Sequence, residues 1–133
     1  MPDEMELQEL RIHERMSKID RKIIVMSGKG GVGKSTVTVN LANALLEKGF
    51  KVGVLDTDIH GPNIAKMFGC EGAILGSNED GSSIVPVSPM PNLKVVSLSF
   101  ALTNPDQAII FRGPMKISVI KQFLADVEWG TLD

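Results

Sequence analysis

The sequence predicts an α/β fold in which a mostly parallel sheet is flanked by helices, and three observations predict it. An apolar run at residues 23–26 leads into a glycine-rich loop, and Val37, Leu41, Ala44 and Leu45 then recur at helical spacing, the pattern of a buried strand feeding a helix. A second apolar run, Lys51-Val52-Gly53-Val54-Leu55, follows Gly49 as helix terminator. Strand, helix and strand within about 35 residues form a βαβ unit, so the two strands are expected to be parallel, with a right-handed crossover.

The loop between strand and helix carries the chemistry. It fits G-x-x-x-x-G-K-[ST], with Gly28 and Gly33 as the fixed glycines, then Lys34 and Ser35. Glycines let backbone N–H groups approach a phosphate closely, because no Cβ blocks positive φ. The helix beginning near Lys34 adds unpaired N–H groups and the positive end of its macrodipole. Lys34 supplies charge for the terminal phosphates, and the Ser35 hydroxyl is placed to ligate Mg²⁺. The expected nucleotide cradle is therefore Gly28, Lys29, Gly30, Gly31, Val32, Gly33, Lys34, Ser35 and Thr36, and the fold class becomes a P-loop NTPase. The same stretch also satisfies the dinucleotide fingerprint G-x-G-x-x-G through Gly28, Gly30 and Gly33, with Asp56 as its acidic residue. Against that stands Gly33-Lys34-Ser35-Thr36, since a bridging pyrophosphate needs neither a lysine nor a metal-ligating hydroxyl.

Composition narrows the partners. The chain has 133 residues, one domain by length, and its net charge of −2 gives no electrostatic reason to expect nucleic acid or an acidic membrane. No apolar segment approaches a membrane span and no signal-peptide core is evident, so a cytoplasmic protein is expected. One cysteine, Cys70, excludes an internal disulfide and reads as a small packed side chain.

Residues 3–19 read as a helix, acidic at its start and basic at its end, with Met5, Ile12, Met16 and Ile19 as a stripe. The expected division is a helical extension over residues 1–21 and a P-loop domain over 22–133. Asp56-Thr57-Asp58 ends the second strand, at the edge where ligands bind in open α/β sheets. Two carboxylates beside a triphosphate suit Mg²⁺ and water: one is expected to hold a metal-bound water or the loop, and the other to orient the attacking water. A short helix follows from Pro62 to Phe68, ended by Gly69. Residues 72–92 are rich in Gly, Ser and Pro, with strands expected over 84–87 and 93–98 and Pro86 confining the first to a sheet edge. Pro114 opens a last helix whose apolar face is Ile117, Ile120, Leu124 and Val127. A P-loop hydrolase also has a second strand ending in a metal-holding aspartate, the Walker B strand. No run after residue 58 supplies one, so the sequence is expected to stop before it.

Gly28-Lys29-Gly30-Gly31-Val32-Gly33-Lys34-Ser35-Thr36 resembles the deviant Walker A of the MinD/ParA-like ATPases, whose extra lysine falls on Lys29. The run from Val54 through Asp56-Thr57-Asp58 to Gly61-Pro62-Asn63, together with Phe111-Arg112-Gly113-Pro114-Met115, is similar to the Mrp family of iron–sulfur cluster carrier ATPases of the ApbC/Nbp type. The resemblance spans residues 10–133. It implies a homodimer enclosing two ATP molecules, with Lys29 reaching the partner's nucleotide. Lys34 would act on the β- and γ-phosphates, Ser35 and Asp56 around Mg²⁺, and Asp58 beside the attacking water, making Lys29, Lys34 and Asp58 the catalytic set. It implies iron–sulfur apo-proteins as recipients, with the cluster held only by the full-length protein, whose Cys-x-x-Cys pair is not in this sequence. A nucleotide-switched positioning ATPase of the MinD/ParA kind is the alternative.

Overall fold

The computed structural model describes residues 3–26, 33–57, 63–70, 73, 75–101 and 114–133. Gly28, Lys29, Gly30, Gly31, Val32, Asp58, His60 and Arg112 lie outside the described residues.

Helix α1 (Glu4–Met16) starts on a reciprocal cap. Glu6 N–H donates to Asp3 Oδ1 at 2.8 Å, and Asp3 N–H donates to Glu6 Oε2 at 3.1 Å, which satisfies two of the donors that a helix start leaves without partners. The Lys22 ammonium closes the far end by donating to the carbonyls of Met16 and Ile19 at 3.1 and 2.8 Å. Helix α2 (Lys34–Glu47) buries Val39 and Ala42 and stops at Gly49. Strand β1 (Val52–Asp56) follows, then the short helix α3 (Asn63–Met67), which carries Ile64 and Ala65 into the core with Phe68 directly after it.

Strands β2 (Gly76–Ser77) and β3 (Ile84–Val85) make a small antiparallel ribbon. Pro86, which has no N–H to donate, ends β3, and the expected strand over 84–87 divides there: Val87 instead exchanges backbone hydrogen bonds with Val95, at 3.1 and 2.7 Å. Strand β4 (Leu93–Ser97) pairs in parallel with β1, in the register Val52↔Leu93 through Asp56↔Ser97. A 3₁₀ turn (Leu98–Ala101) leaves the sheet, and helix α4 (Pro114–Asp126) closes the fold.

Alternation along the strands divides the core in two. Val54, Leu93 and Val95 pack with Val39, Ala42, Ile64 and Phe68 on the face toward α2 and α3. Leu55 and Val96 pack on the other face with Phe123, Val127, Trp129 and Leu132. The second cluster also takes in Met16 and Ile19, so the end of α1 and the residues after it are part of the core. Arg15 Nε donates to the Ala125 carbonyl, and Arg11 pairs with Asp126 at 3.3 Å, fixing α1 against α4. Only this half of α1 is covered: Met5, expected in the apolar stripe, is 70% exposed. On α4 Phe123 and Ala125 are buried, on either side of the expected Leu124, while Ile117 is exposed and Val127, already past the helix, bridges to Ile84.

The apolar run at 23–26 departs furthest from expectation. It belongs to no strand among the described residues, and Ile23, Ile24 and Met26 are exposed. A buried parallel strand needs a neighbour whose backbone it can pair with. Just upstream such a neighbour exists. Asp20 and Arg21 N–H donate to the carbonyls of Leu132 and Asp133 at 3.1 and 2.9 Å, and Asp133 N–H donates to the Lys51 carbonyl at 2.9 Å. Residues 132–133 therefore lie between residues 18–21 and the start of β1, running parallel to the former. Asp20, Arg21, Lys51, Leu132 and Asp133 also line a groove.

Candidate nucleotide site

Two side chains meet at the carboxyl end of β1, and a third lines the same groove as one of them. Asp56 is the last residue of the strand and is 5% exposed. Ser97 ends β4 directly opposite, and its Oγ donates to Asp56 Oδ2 at 3.4 Å. Lys34 is the first residue of α2 and lines the same groove as Asp56. That groove, about 900 Å³, is lined along β1 by residues 52–56 and also by Ile24, Leu41 and Leu132.

The start of α2 explains why the loop ends in glycine. Gly33 has φ +86°, a left-handed conformation that costs a side-chain-bearing residue energy, and its carbonyl accepts the first helical hydrogen bond from Val37 N–H at 2.9 Å. It caps without a side chain. The N–H groups of the first turn are thus left for a ligand or solvent, with the positive end of the helix dipole behind them. Thr38 lines the groove too, but its hydroxyl donates to the Lys34 carbonyl at 2.9 Å and serves the helix. Ser35 is half-buried in the first turn, and Thr36 is exposed.

Hard oxygen donors are what this end offers: the Asp56 carboxylate and the Ser35 hydroxyl. Among the described residues no group of three or more His, Cys, Asp or Glu gathers. This donor set fits Mg²⁺, which is held by one or two carboxylates plus phosphate oxygens and waters, better than an ion needing an all-protein cage. Soft-metal chemistry finds no support at Cys70. It is buried, and burial pushes its thiol above the ordinary value, away from the thiolate that metals bind.

Of the expected site residues, Lys34 and Asp56 line the groove, Ser35 and Thr36 follow Lys34 in the first turn of α2 without lining it, and Lys29, Asp58 and the glycines before Gly33 fall outside the described residues. Ser97 was not anticipated. The signal for it was a hydroxyl-bearing residue closing the otherwise apolar run Val95-Val96-Ser97-Leu98.

Residues 18–133 match the family described as ParA: NUBPL iron-transfer P-loop NTPase. The chain is a member of that family. Among its relatives, the iron-sulfur cluster carrier protein of Methanococcus maripaludis is 54% identical over 129 residues, covering 97% of this chain and 44% of the relative. That of Methanocaldococcus jannaschii is 52% identical over 126 residues, covering 95% and 43%. A nucleotide-binding protein from Archaeoglobus fulgidus, solved in complex with ADP and with cobalt found in it, superposes with a TM-score of 0.77 at 39% identity, covering 94% of this chain and 46% of that one. The family and the P-loop NTPase fold read from the motifs at residues 28–36 and 54–63 are thereby borne out. This chain spans less than half the length of those family members, and among its described residues no helix is long and apolar enough to cross a membrane.

Proposed function

We propose that this chain is the ATP-binding part of a cytoplasmic iron–sulfur cluster carrier that hands its cluster to apo-proteins. The observation that carries the reading is that Lys34, at the start of α2, and the buried Asp56 carboxylate line one groove, in a chain of the iron-transfer P-loop family.

In this reading the residues divide the work by charge. Lys34 places an ammonium against the β- and γ-phosphates, and the first-turn N–H groups of α2 bind phosphate oxygens. Ser35 and Asp56 hold Mg²⁺, which supplies charge neutralisation on the phosphates when bound. Asp58 orients the attacking water. Lys29 acts across a homodimer interface on the partner's nucleotide, so that catalysis waits for two chains to close around two ATP molecules. The cluster is cargo: a cluster of the usual kind takes four cysteine ligands and this chain has one, so it is bound by other parts of the carrier.

Titration of a fluorescent ATP analogue with Mg²⁺ against wild type and Lys34→Ala tests the reading. Loss of one charge-assisted contact to phosphate is expected to weaken binding about tenfold or more. Equal affinities, or tighter binding of NAD than of ATP, would refute it.

A further inference from the structure

Strand β4 is apolar on its α2-facing side until its last residue. Leu93 and Val95 precede Ser97 on that face, and all three are 0% exposed. A buried hydroxyl costs free energy unless it is hydrogen-bonded. Here the bond goes to a carboxylate, Asp56 Oδ2, itself at the end of a strand and almost out of solvent.

The placement follows from register. Asp56 and Ser97 are the final pair of the parallel β1–β4 ladder. With a period of two, both side chains fall on the face of Val54 and Val95, the side on which α2 packs. Lys34, the first residue of α2, lines the groove that Asp56 also lines. The backbone ladder therefore fixes the Ser97 hydroxyl beside the carboxylate that serves the nucleotide. At 3.4 Å the bond is long for O–H···O, so its effect is to choose an orientation of the carboxylate more than to add strength.

We propose that Ser97 is a positioning residue for the Asp56 carboxylate, holding it in the orientation in which it supports Mg²⁺ beside the phosphates. This rests on the reading of Asp56 given above. No part of the motif at residues 28–36 contains Ser97, and its role reaches the ligand only through Asp56.

The test measures binding of a fluorescent ATP analogue as Mg²⁺ is titrated, and again in EDTA, for wild type, Asp56→Asn, Ser97→Ala, Ser97→Cys and Ser97→Thr. Ser97→Cys keeps the volume with a poor donor, and Ser97→Thr keeps the hydroxyl on a β-branched residue suited to a strand. The expected result is a Mg²⁺ midpoint raised about two- to threefold in the Ala and Cys variants, the low end of the range for one hydrogen bond, as suits a long one. The metal-free affinity should stay at the wild-type value, and the Thr variant should recover the wild-type midpoint. If Ser97→Ala does not fold, the contrast between Cys and Thr decides. An Asp56→Asn shift without a shift in the Ala and Cys variants would overturn the role of Ser97 alone. No shift in Asp56→Asn would overturn the reading of Asp56 and this proposal with it. Equal losses with and without Mg²⁺, or no recovery with Thr, would show Ser97 to be merely structural and also overturn the proposal.

Discussion

Gly53 lies in the middle of β1, under the Trp129 ring and the Leu132 side chain. A Cβ at this position would stand 2.6 Å from Leu132 Cδ1 and 3.1 and 3.2 Å from two atoms of the Trp129 ring. Leu132 Cδ1 ends a flexible side chain that borders the groove and can shift toward it, whereas the Trp129 ring, 3% exposed, is the less yielding neighbour. The indole is further pinned by its Nε1–H, which donates to the Phe123 carbonyl at 3.2 Å. Overpacking of this kind costs about 1–3 kcal/mol, and the lower entropy of an unfolded chain carrying alanine offsets about 0.4–1 of it, so Gly53→Ala should destabilise by about 1–2 kcal/mol. The chain has one tryptophan and no tyrosine, so indole emission during urea unfolding reports directly on this contact. A midpoint lower by roughly 0.5–1 M urea is expected. Gly76→Ala is the control, because its Cβ would meet only Val85, at 4.0 Å; its midpoint should equal or slightly exceed that of wild type. A Gly53→Ala midpoint matching that control would refute the reasoning.

Two other perturbations follow. Arg15→Ala removes the donor to the Ala125 carbonyl and a longer contact to Ser83 Oγ at 3.4 Å; it should cost about 1–2 kcal/mol in urea unfolding and loosen α1 in amide exchange, and Arg15→Lys, lacking the planar donor, should not restore it. The buried Cys70 thiol should resist iodoacetamide in the folded chain and react quickly in urea. Its folded pKa is raised, so the unfolded thiol ionises first; this stabilisation is complete below the ordinary 9.0 and is lost as pH rises through the higher folded value. Cys70→Ala should accordingly flatten the loss of stability above pH 9.0.

Much of the nucleotide end was legible because its signals are local. Gly33 at the helix start, the stop at Gly49 and the run ending in Asp56 each depend on nearest neighbours in sequence, and each appears where expected. The misreadings depend on distant ones. On α2 the helix forms, but Val39 and Ala42 are its buried residues, while Val37, Leu41 and Ala44 of the expected stripe are exposed, because the sheet face and not the helix period sets the phase. Residues 23–26 have the composition of a buried strand, yet strand formation needs a paired neighbour, which residues 18–21 find in Leu132 and Asp133 and residues 23–26 lack among those described. On α4 the choice of Phe123 over Leu124 for the core is set by the sheet face it meets, Val96 and Trp129, and periodicity alone cannot set the phase to within one residue. Ser97 was silent because its meaning lies in register with Asp56, forty-one positions away in the chain.

The seat of α1 bears on how the chain is made. Arg15 bonds to Ala125 at a separation of 110 residues, and Met16 and Ile19 pack among Phe123, Val127, Trp129 and Leu132. During synthesis α1 therefore emerges well before the residues that cover it, and its apolar half waits uncovered until the final turn of α4 and the indole have left the ribosome. Closing so long a loop is slow, and what waits uncovered can meet the wrong neighbour. The capping box at Asp3 and Glu6 gives that early helix a start that needs no other part of the molecule.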